Sequence, residues 1–208
     1  GFSVIELIII IAMIAVVAGL LLPRTVNHKG HTREIRCVHN LHQIGLGFRL
    51  SAIDGIPYAE FQPSKKAWQY FQAAGREIGS PRVLICPVDD ERIKQKSFPM
   101  DFALPSTPNS FAHPQYQNAS LSYFFSPDAN VDKPDTILSG DRNLSTNKTI
   151  LSGIVRVETN TPVQWTDHLH RKDGAVLQAD GRVVRMNNMA LRQFVESGTN
   201  GIQRLILP

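Results

Sequence analysis

The 208-residue chain has only two cysteines, Cys37 and Cys86, and neither lies in a CxxC motif, which weakens any reading of them as a metal or redox pair. It has no internal repeat and no low-complexity tract, so solenoid and array architectures are excluded. Charge of either sign is scarce. Lys plus Arg number 22 against 18 Asp plus Glu, a formal net charge of +4, and charged residues make up 19% of the chain. That fraction, beside 42% hydrophobic residues, excludes a disordered or acidic solvating chain. A pI of about 9.2 permits anionic partners, but +4 is too diffuse to imply nucleic acid. No Gly-rich phosphate loop, nucleophile–base arrangement or paired-carboxylate motif stands out, so the chain is not read as an enzyme. Turn-forming residues are plentiful, with 13 Pro and 14 Gly, and the hydrophobicity is concentrated at one end.

From Phe2 to Leu22 the sequence carries a single charge, Glu6. As a helix this stretch is roughly 31 Å long, matching the hydrocarbon core of a bilayer. Its unbroken apolar positions leave no polar face, which suits neither a soluble core helix nor the short apolar region of a removable signal. Pro23-Arg24 stands where a small-x-small cleavage site would be. The expectation is a retained hydrophobic helix. A carboxylate inside it costs roughly 2.5–3.5 kcal/mol on insertion scales. Glu6 either serves the positive end of the helix near headgroups or pairs with a cation of another chain in a shielded bundle.

Gly1-Phe2-Ser3-Val4-Ile5-Glu6 followed by this aliphatic run resembles the processing site of type IV pilins and type II secretion pseudopilins. The resemblance implies cleavage by a prepilin peptidase between Gly1 and Phe2, with methylation of the new amino terminus. It implies assembly through Phe2, Glu6 and Pro23, the last standing where the family has its helix-perturbing proline. The chain here begins with Gly1, the residue that the family removes.

Beyond Pro23, Asn27 and Gly30 are poor helix formers, and Pro23 to Gly30 is expected to kink or melt. A second helix is predicted from about Thr32 to Ala52, with Cys37, Leu41, Ile44 and Phe48 on one face and Ile35 and Val38 widening it. Asp54-Gly55-Ile56-Pro57 ends it. Arg24, Lys29, Arg33 and Arg36 outweigh Glu34 there, marking a solvated face near headgroups or contacts with acidic neighbours. His28, His31, His39 and His42 form i, i+3 pairs without evident further ligands, and are read as surface histidines.

A short helix is expected over Lys65–Ala74, capped by Ser64 and ending at Gly75, then an irregular stretch from Ile78 to about Gln117. Strands are predicted at Ser120–Phe125, Thr136–Ser139, Ile150–Val157, Gly174–Ala179 and Arg182–Met186, in an antiparallel sheet with one covered face, and a helix at Asn188–Glu196. The class is α+β: residues 1–23 a membrane or filament-core segment, 24–55 a helix extension, and 56–208 a globular domain.

Arg36-Cys37-Val38-His39-Asn40-Leu41, Cys86-Pro87-Val88-Asp89 and Gly140-Asp141-Arg142 resemble a pilin-like family named for an H-X9-DG motif, here His170 and Asp180-Gly181. Arg182 and Arg171-Lys172-Asp173 depart from that family, which often has His and a Gly-rich stretch there. The pilin reading places the globular part outside the cytoplasm, where a Cys37–Cys86 bridge forms; the alternative is two buried free thiols. Asp180-Gly181, between Ala175–Gln178 and Val183–Met186, reads as a two-residue hairpin turn, with His170 fastening the entry to the hairpin. Asp167, His168, His170 and Asp173 cluster only by composition, and Asp128, Asp132, Asp135 and Asp141 match no Ca²⁺ loop, so Ca²⁺ is a weak alternative to having no cofactor. Asn118, Asn143 and Asn147 head glycan acceptor sequons.

The resemblance implies a structural subunit of a homo-oligomeric, helical extracellular filament, a type IV pilus or fimbrium. Its precursor sits in the inner membrane and its partners are the prepilin peptidase and pilus assembly machinery. The alternatives are a minor pseudopilin of a periplasmic type II secretion pseudopilus, or a membrane-anchored binding module on a pilin-type anchor.

Overall fold

The computed structural model describes residues 1, 3–21, 28–53, 66–147, 149–197 and 203–208. They divide into two units, Gly1–Thr32 and Arg33–Pro208.

In the first unit, helix α1 runs from Val4 to Leu21. Its start is built locally. Ser3 stands before the first turn, its N–H donates to the Glu6 carboxylate at 2.9 Å, and its hydroxyl accepts the Ile5 N–H at 3.4 Å. Ser-x-x-Glu is the capping-box pattern, in which side chains satisfy backbone donors that have no partner inside the helix. Among the described residues no helix is long and apolar enough to cross a membrane. At 1.5 Å per residue the 18 residues of α1 measure about 27 Å. Phe2, Leu22 and Pro23 lie outside the described residues.

Helix α2 spans His28–Ile53, so Gly30 sits inside a helix rather than in a melted stretch; the rest of the expected kink, through Asn27, lies outside the described residues, as does Asp54–Pro57. Cys37, Leu41, Ile44 and Phe48 are each buried, as their spacing predicts. Ile35 is 56% exposed and does not widen the stripe. Two positions before Cys37, at about 100° per residue, it points nearly opposite.

Helix α3, Ala67–Ala73, starts after Lys66, whose N–H donates to Gln69 Oε1 at 2.8 Å; Ser64 and Lys65 lie outside the described residues. Gly75 does not end the helical region but opens α4, Gly75–Ile78. A Cβ at Gly75 would meet the Phe102 ring at 2.4 Å, so glycine serves close packing there and not a cap. A 3-10 turn at Pro81–Leu84, helix α5 at Asp90–Ile93 and a second 3-10 turn at Gln117–Ser120 punctuate the irregular stretch.

Among the described residues nine strands follow: β1 Tyr123–Phe125, β2 Ile137–Asp141, β3 Leu144–Thr146, β4 Thr149–Ile150, β5 Gly153–Val157, β6 Val163–Trp165, β7 Asp173–Gln178, β8 Val183–Asn187 and β9 Gln203–Leu207, with helix α6 at Asn188–Glu196 before the last. An antiparallel six-stranded sheet has the order β5-β9-β1-β2-β7-β8, and a smaller one the order β4-β3-β6. The expected strand at Ile150–Val157 is thus two strands in different sheets.

The large sheet is covered on both faces, not one. Tyr123, Phe125, Leu138, Ala175, Leu177 and Ile206 join the α2 stripe and α3 in one core. Their neighbours Phe124, Ile137, Val176, Leu205 and Leu207 join Trp165 of the small sheet and Leu191 of α6 in a second. Central strands reading YFF and AVL are apolar at successive positions, the pattern of a sheet buried on both sides.

Candidate functional site: a buried polar cluster at the disulfide

Cys37, on the buried face of α2, is bonded to Cys86, which follows the Pro81–Leu84 turn; their Cα atoms are 5.1 Å apart. One turn along α2, Asn40 Nδ2 donates to the Ile85 carbonyl at 3.1 Å, so helix and irregular segment are fastened twice. The Asp89 N–H then donates to the Cys86 carbonyl at 2.9 Å.

His170 lies against this bridge. Its Nε2 is 3.5 Å from Cys86 Sγ and 3.5 Å from Asp141 Oδ2. Asp141 ends β2, and its Oδ2 accepts the Ala175 N–H of β7 at 2.7 Å. Burial pushes the Asp141 carboxyl up to about 6, against the opposing pull of His170 and of that hydrogen bond. Among the described residues, Asp141 Oδ1 and His170 Nδ1 have no hydrogen-bond partner. The next residue, Arg142, reaches Asp89 with two nitrogens, at 2.8 and 3.0 Å, and also Glu91; Ser122 donates to Asp89 at 2.8 Å. Burial pushes the Asp89 carboxyl up, but the Arg142 fork outweighs it and holds the group below its ordinary value. Asn143 Nδ2 donates to the carbonyls of Thr166 and Asp173, both at 3.2 Å, clasping the loop that carries His170. In that loop Arg171 and Lys172 both take left-handed backbone, at φ 53° and 68°, a conformation glycine adopts at less cost.

The two ends of the H-X9-DG motif do not meet. His170 precedes β7, and Asp180-Gly181 follows it at the far end, so the nine-residue gap is the length of a strand. The His170 side chain faces the disulfide and Asp141, while its carbonyl accepts the N–H of Asp173 at 3.2 Å, at the entry of the hairpin that it was expected to fasten. The turn is also longer than expected. Leu177 pairs with Val183, the Gln178 N–H donates to the Arg182 carbonyl at 2.8 Å, and Gly181 has φ +90°. A three-residue connection with glycine in the left-handed place is the next commonest hairpin after the two-residue ones. Arg49 of α2 donates to the Asp180 carbonyl at 3.0 Å, and Arg182 holds the Asp180 carboxylate.

Other sequence candidates disperse. Asp128 pairs with Arg204, Asp135 with Arg182, and Asp132 is exposed, so the four aspartates do not gather for Ca²⁺. Asp173 pairs with Arg185, which also takes Glu34, while Asp167 and His168 line an open cleft of about 700 Å³ with Lys172. His39 and His42 are exposed on α2. Asn143 is buried and bonded, Asn118 accepts the Trp68 N–H, and Asn147 is exposed. Gly1 and Glu6 belong to the first unit; Phe2 and Pro23 are not among the described residues. Sequence reasoning named Cys86 and Asp141 but missed that the His170 Nε2 stands between them; among the described residues, Cys37, Cys86 and His170 are the group whose ligand atoms come together, within 4.8 Å, with Asp141 outside it. The missed role of Glu6 was legible in Ser3-x-x-Glu6.

Family models, curated proteins and solved structures give no match to this chain.

Proposed function

We propose that the chain is a structural subunit of an extracellular type IV pilus-like or pseudopilus filament. It is made at the inner membrane, processed by a prepilin peptidase at Gly1-Phe2, and polymerised by pilus assembly machinery through its N-terminal helix. The observation that carries this reading is the surface of α1. Every large apolar side chain from Val4 to Val17 is between 44% and 72% exposed. Ile8, Ile9, Ile10 and Ile11 follow one another at about 100° steps, so no side of the helix is polar. Such a surface is stable in lipid or among like helices, and a subunit that moves from one to the other uses both.

Three features of the second unit support the reading. The amphipathic stripe of α2 is covered by an α+β domain, as a stalk helix carrying a globular head requires. The Cys37–Cys86 bridge suits an oxidising compartment. The left-handed backbone at Arg171 and Lys172 lies where the H-X9-DG family is often Gly-rich, which explains why glycine would be favoured there.

Negative-stain microscopy of sheared cell-surface material tests the proposal. Long fibres containing this chain are expected. Short membrane-held assemblies without fibres would point to a secretion pseudopilus instead, and a chain found only as monomers at the membrane would overturn filament formation.

A further inference from the structure

We infer that, in its dithiol form, the cluster of Cys37, Cys86, His170 and Asp141 binds one thiophilic divalent cation of the zinc type. A disulfide staple needs neither an imidazole nor a carboxylate beside it. Here His170 is buried against Cys86 and Asp141 against His170, at 6% and 0% exposure, with the His170 Nε2 3.5 Å from both the Cys86 sulfur and the Asp141 Oδ2. A buried imidazole and carboxylate are costly unless something uses them.

The geometry fits a tetrahedral ion. With metal–sulfur bonds of about 2.3 Å and metal–nitrogen or metal–oxygen bonds of about 2.0 Å, ligand atoms stand roughly 3.3–3.8 Å apart. Cys86 Sγ to His170 Nε2 is 3.5 Å and His170 Nε2 to Asp141 Oδ2 is 3.5 Å, so two edges of the tetrahedron already have the right length. The sulfur–sulfur edge must open, from a bond to a contact, and reduction does that; Asp141, which stands outside the 4.8 Å group of Cys37, Cys86 and His170, must close on the freed sulfurs. A dithiol reductant supplies two electrons and two protons, the Cys37–Cys86 bond breaks to two thiols, and the reductant becomes a disulfide. The entering cation then displaces both thiol protons. Arg142 does not compete for Asp141, because Asp89 and Glu91 hold it. The four ligands come from α2, the segment after the Pro81–Leu84 turn, the end of β2 and the loop before β7. Disulfide and metal are therefore alternative staples for the same elements. The inference is independent of filament formation.

Co²⁺ titration of the full chain in detergent micelles, reduced with a phosphine, tests it. The reduced chain is expected to bind one equivalent with thiolate-to-cobalt charge transfer in the near ultraviolet and intense four-coordinate bands in the visible, both abolished by Zn²⁺. The oxidised chain should give neither. His170→Gln and Asp141→Asn should each weaken binding at least about tenfold. Reduced chain that loses near-ultraviolet dichroism and regains it with Zn²⁺ also supports the site. No bands in the reduced chain, whether it stays folded or not, would overturn it. So would bands whose affinity is unchanged in both variants, since two thiolates alone would then account for them.

Discussion

The two units handle polarity in opposite ways. In Gly1–Thr32, Ser3 and Glu6 act within one turn, where they cap α1, and every large apolar side chain from Val4 to Val17 is exposed. In Arg33–Pro208 the apolar side chains form two cores, and polar groups are buried in pairs: Asp89 with Arg142, Asp141 with His170, Asn143 with two carbonyls. The second unit can hold its shape with its own contacts. The described side chains of α1 specify little beyond a helix, so its stability and its register depend on what surrounds it. The comparison breaks if damage to one unit is felt in the function of the other.

The largest expected effect is removal of the bridge. A loop with a sequence separation of 49 residues is closed by Cys37–Cys86, and the chain-entropy estimate for such a loop is about 4 kcal/mol. Cys37→Ser with Cys86→Ser should lower unfolding stability by roughly that much in denaturant titrations followed by near-ultraviolet dichroism, leaving the helicity of α1 in micelles unchanged. Next comes Asp89→Asn. Asp89 is 1% exposed and its carboxylate takes two nitrogens of Arg142, so losing its charge strands a part-buried guanidinium. The cost should be about 3 kcal/mol in the same titration. A loss under about 0.5 kcal/mol would mean that Glu91 alone suffices for Arg142.

Sequence periodicity carried the helices well. Cys37, Leu41, Ile44 and Phe48, all buried on α2, recur at i, i+4, i+7 and i+11, and Asn188–Glu196 is α6 as expected, because a helix face is a local property. The β7–β8 hairpin was legible for the same reason, its turn lying between two apolar runs. β3, β6 and β9 were not. Three or five residues with Ser, Thr, Gln or Arg among them show no period long enough to read, and their strand character comes from their partners, β4 and β6 for β3, and the distant β1 and β5 for β9. One-sided cover failed because the second layer is made by such short strands together with α6. Within the cluster, the disulfide followed from there being two cysteines, but His170 meets Cys86 across 84 residues, which no local pattern encodes.

A smaller effect separates the two readings of Glu6. Gln at this position keeps the reach of the capping box, whereas Ala removes it. In an apolar bundle, packing alone gains little over lipid, so a charge facing a neighbouring amino terminus would set subunit register. Glu6→Gln and Glu6→Ala should both reduce filament yield about tenfold, or about 1.4 kcal/mol, with Arg33–Pro208 unfolding as in the parent chain. Normal fibres from Glu6→Gln, with loss only in Glu6→Ala, would assign Glu6 to the cap and remove the pairing role.

The smallest effect tests whether the second unit's ion pairs contribute through charge. Arg204, on β9, donates its backbone N–H to Asp128 at 2.6 Å and faces the same carboxylate with its guanidinium. Burial pushes the Asp128 carboxyl up, but the Arg204 hydrogen bonds outweigh it and hold the group below its ordinary value. An acid whose folded value is depressed binds fewer protons than the unfolded chain, so its contribution is complete above the unfolded value of about 3.9 and fades as the pH falls through the folded one. The pair is partly open to water, with side chains 33% and 24% exposed, which limits it to about 1 kcal/mol. Denaturation of the parent chain and of Asp128→Asn should therefore differ by about 1 kcal/mol near pH 7, with the gap closing once the pH drops below about 4. The gap at neutral pH should also narrow in about 1 M salt, where screening reaches only about 3 Å. A gap that persists unchanged at low pH and in salt would show that Asp128 acts through the shape of its backbone hydrogen bond to Arg204, which an asparagine oxygen accepts less well, and not through its charge.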